Sequence, residues 1–273
     1  MYAYFNVVHI LYLLLPIILL VCFYNIFKDK SHKVQTIFLL CCVGISATIS
    51  CVVDVFQYVP TEGWRSVFKN LPLYPCDLNN FILPIALLKK KKNTTLDKYV
   101  MYFATTGPIY TLLAPIAENN VYYFYDYTIW GTFLAHSLYI VVAVLYLKFN
   151  HVKCSSRQPW KMWLIMMVMI TVAHAVNLAL IFTGINPNAN YCFTGRPPEV
   201  GIAYRAAVLV GYNNPYIRCY FFMVIGYTGM TIIYYFVHKL TETETAAKLN
   251  ARIKAFFASI KEKINKKELT DGN

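Results

Sequence analysis

The run VVHILYLLLPIILLVCFYNIF, residues 7–27, is followed at once by KDKSHK, residues 28–33. A stretch of about 20 apolar residues matches a bilayer hydrocarbon core roughly 30 Å thick, because a helix rises about 1.5 Å per residue. No basic residue precedes the run, it is too long for a signal core, and no small-x-small cleavage pattern follows it. It therefore reads as a permanent first transmembrane helix, closed by a basic loop.

The same alternation continues along the chain. Apolar runs predict further helices near 34–59, 72–88, 99–117, 127–147, 162–184 and 214–238. Of the 273 residues, 58% are hydrophobic and only 14% are charged. A soluble domain carries about 25% charged residues, so a membrane protein is expected. The expected fold is all-α: a polytopic seven-transmembrane-helix bundle over residues 1–240, then a cytoplasmic basic tail over 241–273. No internal repeat is visible, which speaks against a transporter built from inverted halves.

The loops give the expected orientation. The segments 28–33, 89–98 and 148–161, with the tail from Lys239, hold 20 of the 25 Lys and Arg residues. The alternate loops, 60–71, 118–126 and 185–213, are nearly neutral or acidic. Basic loops stay cytoplasmic, so the N-terminus is expected outside and the C-terminus in the cytoplasm of a multi-pass cell-membrane protein. Tyr122, Tyr123, Phe124, Tyr125, Tyr127 and Trp130 read as an interfacial aromatic belt at the outer edge. The glycosylation-like triplet Asn93-Thr94-Thr95 falls on the inner side and is set aside. The net charge of +12 is explained by topology, and no nucleic-acid partner is expected.

In the tail, Leu249, Ile253, Phe256, Phe257, Ile260 and Ile264 recur at helical spacing, with Lys248, Arg252, Lys254, Lys261, Lys263, Lys266 and Lys267 between them. Such an amphipathic helix lies in the headgroup plane of an anionic lipid surface. A helix that binds a protein partner would share the pattern.

Eight cysteines occur, with neither a zinc spacing nor a disulfide framework. Polar side chains within spanning segments are functional candidates, and here they gather at one depth. Asp54 lies near the outer end of the second helix. Cys76, Asp77, Asn79 and Asn80 open the third. His136 is roughly 10 Å inside the outer end of the fifth, at about 1.5 Å per residue. His174 and Asn177 share a level on the sixth, and Arg218 opens the seventh. In LPLYPCDLNNF, residues 71–81, Pro72 and Pro75 suit the first turn of a helix or a broken entry to one. A thiol there feels the positive end of the helix dipole, which favours the thiolate; Asp77 opposes this. Asn79 and Asn80 share the Cys76 face and would donate to an oxyanion, and His136 would take the thiol proton. Each residue also has a plain reading: Cys76 as packing, His136, His174 and Asn177 as helix-to-helix bonds, Asp77 as a cap, Arg218 as a partner of Asp54 or of a headgroup phosphate.

The run Leu71-Pro72-Leu73-Tyr74-Pro75-Cys76-Asp77-Leu78 resembles the LPLHLC motif of YwaF-like bacterial integral membrane proteins. Relatives of that family include an animal TMEM-type transmembrane family associated with phospholipid acyl transfer. Phe133-Leu134-Ala135-His136 is similar to the family's FxSH motif. Val176-Asn177, followed by Asn190-Tyr191-Cys192-Phe193 and Arg196-Pro197, is similar to its VN…NYMF…KP region. Two departures stand out: Tyr74 replaces a histidine, and Ala135 replaces a usual serine. The resemblance implies a membrane acyltransferase with Cys76 as nucleophile and His136 as base. Asn79, Asn80, Asp77, His174, Asn177, Asn190 and Tyr191 would then form the oxyanion site and pocket, and Arg196 or Arg218 would hold a lipid phosphate. Phospholipids are the expected substrates, with neither cofactor nor metal.

Two other functions fit the same residues. One is a binding or transport protein for a small amphiphile, with Cys76 as a pocket wall. The other is a metal-dependent membrane hydrolase drawing on Asp54, His9, His136 and His174; no two of these have the i,i+4 spacing that would favour it. A retinal-type receptor is excluded by the lack of a lysine in the seventh helix before Lys239.

Overall fold

The computed structural model describes residues 7–69, 71–92, 94–113, 127–150, 152, 158–194 and 216–241, with 251, 252, 255 and 259 of the tail. These residues form seven α-helices: α1 Val7–Phe27, α2 His32–Glu62, α3 Asn79–Leu88, α4 Thr95–Leu113, α5 Tyr127–Phe149, α6 Pro159–Phe182 and α7 Tyr216–Thr241. Two 3₁₀ turns, Trp64–Lys69 and Tyr191–Phe193, lie in the connections. The tail residues Ala251, Arg252, Ala255 and Ser259 are helical and exposed.

Four described segments are long and apolar enough to cross a membrane: Val7–Phe27, His32–Ser50, Ile129–Phe149 and Pro159–Phe182. Their outward faces are apolar, as lipid contact requires and water does not permit. Ile17, Ile18 and Val21 of α1, Ile37 and Ile45 of α2, and Val168 and Val172 of α6 are all exposed.

The third helix differs from its sequence expectation. It begins at Asn79 rather than 72 and has 10 residues, about 15 Å of rise, half of a hydrocarbon core. Pro72 and Pro75 keep Leu71 and Tyr74 out of helical geometry. The chain therefore turns through 71–78 and enters the helix late. Asp77 Oδ2 accepts the Tyr74 amide at 3.3 Å, which closes this turn. Gly63, at φ 74°, ends α2 with its amide on the Val59 carbonyl at 2.9 Å.

α5 is the central helix, packed by α1, α2 and α4. Leu39, Val43, Leu83, Ala86, Val100, Ala104, Val142 and Tyr146 form the core around it. The other face of α4 carries Tyr99, Tyr102 and Phe103, which meet Met162, Met166 and Ile170 of α6 and Tyr227 of α7. α4 is thus the wall between the α1–α5 group and the α6–α7 pair. Near the Cys76 end of that wall the two groups part around a cavity.

At the other end of α4 is a polar lock that the reading of 89–98 as a basic loop missed. Asp97 is fully buried. It pairs with Lys89 Nζ at 2.6 Å, accepts the Thr94 amide at 2.7 Å and accepts a hydrogen bond from the Tyr146 hydroxyl. Lys92 Nζ bonds the carbonyls of Ala86 and Leu87 at 2.9 and 3.1 Å, satisfying carbonyl groups that the end of α3 leaves open.

Candidate functional site

The turn 74–78 is positioned by a strap that crosses from α6. Asn177, fully buried one helical turn after His174, donates its amide to the Tyr191 carbonyl at 2.9 Å and to Thr194 Oγ1 at 2.9 Å. Its Oδ1 accepts the Tyr191 amide at 2.8 Å. The strap is tight: Cys192 and Phe193 hold φ 55° and 53°, a region that residues with a Cβ rarely occupy. The Asn190 carbonyl closes it by accepting the Phe193 amide at 3.0 Å.

From this strap, three bonds fasten the approach to Cys76. The Tyr191 hydroxyl donates to the Phe68 carbonyl and accepts the Leu71 amide at 3.1 Å. Cys192 Sγ donates to the Leu73 carbonyl at 3.0 Å. The Tyr74 ring packs edge-on to Tyr191 and tilted on Phe193. Backbone with no helical partners is thereby satisfied inside the protein. The segments LPLYPCD and NYCF, more than a hundred residues apart in sequence, are one assembly.

Cys76 sits half-buried at the edge of a cavity of about 360 Å³. Tyr74, Pro75, Cys192 and Phe193 form one side; Thr106, Gly107 and Tyr110 of α4 and Met223, Gly226, Tyr227 and Met230 of α7 form the others. The walls are aromatic rings, methionines and bare backbone, with little to bind a polar ligand. Gly107 is needed here: a Cβ on it would stand 2.9 Å from the Cys76 amide nitrogen.

Cys76 lies in the turn outside the spanning helices, and its thiol faces Asp77 Oδ1 at 3.9 Å. Burial, then the Asp77 charge, pushes this thiol well above its usual range. The helix-dipole activation expected from sequence is outweighed, because the dipole of a ten-residue helix competes with desolvation and an adjacent carboxylate.

His136, on α5, does not line the cavity. Its Nδ1 bonds the Thr132 carbonyl at 2.7 Å, and its Nε2 is buried with no hydrogen-bond partner. Imidazole and thiol are therefore not hydrogen-bonded to each other. Asn79 is fully buried with neither amide atom partnered. Asn80 Oδ1 accepts the Tyr139 hydroxyl at 2.6 Å. Tyr139 lies one turn after His136, ring centroids 6.2 Å apart and edge-on. Sequence reasoning missed Tyr139, since a tyrosine in an apolar helix gives no signal by itself.

The remaining candidates stand apart or lie beyond description. His174 packs its ring 5.1 Å from Tyr220, away from the cavity. His9 Nε2 bonds the Leu112 carbonyl at 2.8 Å. Arg196 and the side chains of Asp54 and Arg218 lie outside the described residues, as do residues 122–125 of the aromatic belt. Among the described residues no three His, Cys, Asp or Glu side chains gather as metal ligands.

Compared with known proteins, residues 4–239 match the sequence model of the TMEM164 family. That is a transmembrane protein family, the level at which the motif resemblance holds; the YwaF-like likeness rests on the motifs alone. No curated protein and no solved structure matches the chain.

Proposed function

The chain belongs to the TMEM164 family, and from that premise we propose that it is a membrane-embedded enzyme that transfers a fatty acyl group between lipids. The observation that carries this reading is the Cys76 side chain at the wall of an apolar cavity of about 360 Å³. A slot without polar walls suits an acyl chain, and a nucleophile at its edge meets the chain's carbonyl carbon.

Cys76 Sγ attacks the carbonyl carbon of a phospholipid ester while its proton passes to His136 Nε2. The thiol begins protonated, so proton removal and bond formation proceed together. Asn79 or Asn80 donates to the oxyanion. The carbon–oxygen bond then breaks, the lysolipid alcohol takes the proton from His136, and an acyl-thioester remains on Cys76. An acceptor hydroxyl attacks the thioester, gives its proton to His136, and the sulfur leaves and is reprotonated. His136 reaches the thiol by a side-chain or helix adjustment when lipid binds; catalytic contacts often tighten only in the substrate complex. Asn177, Asn190 and Tyr191 build the strap that carries the turn, and His174 packs one helical turn before Asn177. Arg196 or Arg218 holds the lipid phosphate through a guanidinium fork.

The basic loops support an orientation with the N-terminus outside, the C-terminus in the cytoplasm and the site toward the outer leaflet of the cell membrane. The tail rests on the anionic inner surface.

The test is a hydroxylamine-labile acyl adduct on the Cys76 peptide, detected by mass after incubation with phospholipid vesicles. Cys76→Ala and His136→Ala each abolish turnover in folded protein. Full activity in Cys76→Ala rules the mechanism out. A second reading, a carrier for a small amphiphile, draws on the protonated thiol with no base bonded to it. Lipid bound stoichiometrically without any thioester would decide for that reading.

A further inference from the structure

We infer that Tyr139 is a positioning residue for the transfer reaction, fixing the Asn80 carboxamide so that its NH₂ faces the Cys76 side. The inference rests on the acyl-transfer reading above. An asparagine amide has two ends of nearly equal shape, one an acceptor and the other a double donor. Only its partners decide which end points where. Tyr139, 1% exposed, donates its hydroxyl proton to Asn80 Oδ1 at 2.6 Å. The tyrosine proton is thereby committed to Asn80, and Oδ1 is held toward α5.

Both amide hydrogens of Asn80 are then left for a group on the other side. Asn80 follows Cys76 by four residues, and its amide on the Asp77 carbonyl at 2.9 Å closes the turn between them, which keeps the start of α3 against the turn that carries the thiol. Tyr139 in turn follows His136 by three residues on the same face of α5. One side chain thus ties the helix bearing the base to the first turn of α3, directly after the nucleophile's turn, and it orients the donor there. Without Tyr139 the carboxamide is free to rotate, and a donor must be preset to stabilise a developing oxyanion.

The experiment measures thioester formation on Cys76 and steady-state transfer in phosphatidylcholine vesicles carrying a fluorescent-acyl phospholipid. Tyr139→Phe removes only the hydroxyl. It lowers kcat by roughly tenfold or more with KM unchanged, the signature of an interaction made in the transition state. Asn80→Asp keeps the acceptor for Tyr139 but removes both amide hydrogens, and it loses at least as much. Joined with Tyr139→Phe, Asn80→Ala costs no more than Asn80→Ala alone. A merely structural role would instead lower thermal stability and leave kcat of the folded fraction unchanged. Unchanged kcat in Tyr139→Phe, full activity in Asn80→Asp, or losses that multiply in the double variant each overturn the inference and leave the transfer reading standing. No adduct on wild-type Cys76 overturns both.

Discussion

The Asn177 carboxamide brackets the backbone of Tyr191, donating to its carbonyl at 2.9 Å and accepting its amide at 2.8 Å. One buried side chain on α6 thereby fixes a strap in a left-handed conformation, and the strap fixes the turn that holds Cys76.

Asn177→Leu leaves the Tyr191 amide and carbonyl and the Thr194 hydroxyl without this partner. Buried polar groups left open cost about 1–3 kcal/mol each, so the variant loses at least about 2 kcal/mol. Tyr191→Phe keeps the ring and loses the bonds to Phe68 and Leu71, a smaller loss of about 1–2 kcal/mol. Thermal unfolding in detergent checks the order, Asn177→Leu below Tyr191→Phe below wild type.

Gly107→Ala sets a methyl group 2.9 Å from the Cys76 amide nitrogen. That atom is backbone and cannot swing aside, so α4 and the turn must separate. Overpacking of this kind costs about 1–3 kcal/mol. Activity falls by more than Gly226→Ala would cause, because Gly226 has open space around it. Transfer assays on both variants make the comparison.

Filling the cavity isolates its role. Gly226 lines it with nothing within 4 Å of an added Cβ, so Gly226→Leu projects into space already empty. Stability changes by less than about 1 kcal/mol, while long-chain substrates are excluded before short ones. Rates against acyl length show the truncation; an unchanged profile would remove the cavity from the mechanism.

The Cys76 thiol is raised by burial and by Asp77, so its thiolate fraction still climbs where an ordinary thiol, near about 8.5, has levelled off. Alkylation of Cys76 by iodoacetamide therefore increases from pH 7 through pH 9.5 without a plateau. Asp77→Asn removes the repelling charge and moves the curve to lower pH. Peptide mass spectrometry follows both, and a curve that levels off by pH 9.5 in wild type would contradict the burial argument.

Asp97→Asn tests the lock at the far end of α4. The change leaves Lys89 without its charge partner in a site where Asp97 is fully enclosed. Breaking such a pair costs about 3 kcal/mol. Folding yield and melting temperature fall, with no specific change in the kcat of the folded fraction.

Sequence alone determined the membrane character, because runs such as 7–27 are read by composition and length, which need no neighbours. It located six of the seven helices closely for the same reason, and it singled out Cys76, Asn80, Asn177 and Tyr191 from motif and depth. The late start of α3 was partly legible in Pro72 and Pro75, whose rings bar the helix locally. What only the tertiary structure decided was which of these residues meet. Asn177 reaches Tyr191, and Tyr191 reaches Phe68 and Leu71, through contacts between segments that no spacing along the chain encodes. Tyr139 and the buried Asp97 were likewise invisible, because a hydrogen-bond partner on another helix is a property of packing. The thiol's surroundings also ran against the local sequence: a helix N-terminus is a local feature, but desolvation belongs to everything folded around it.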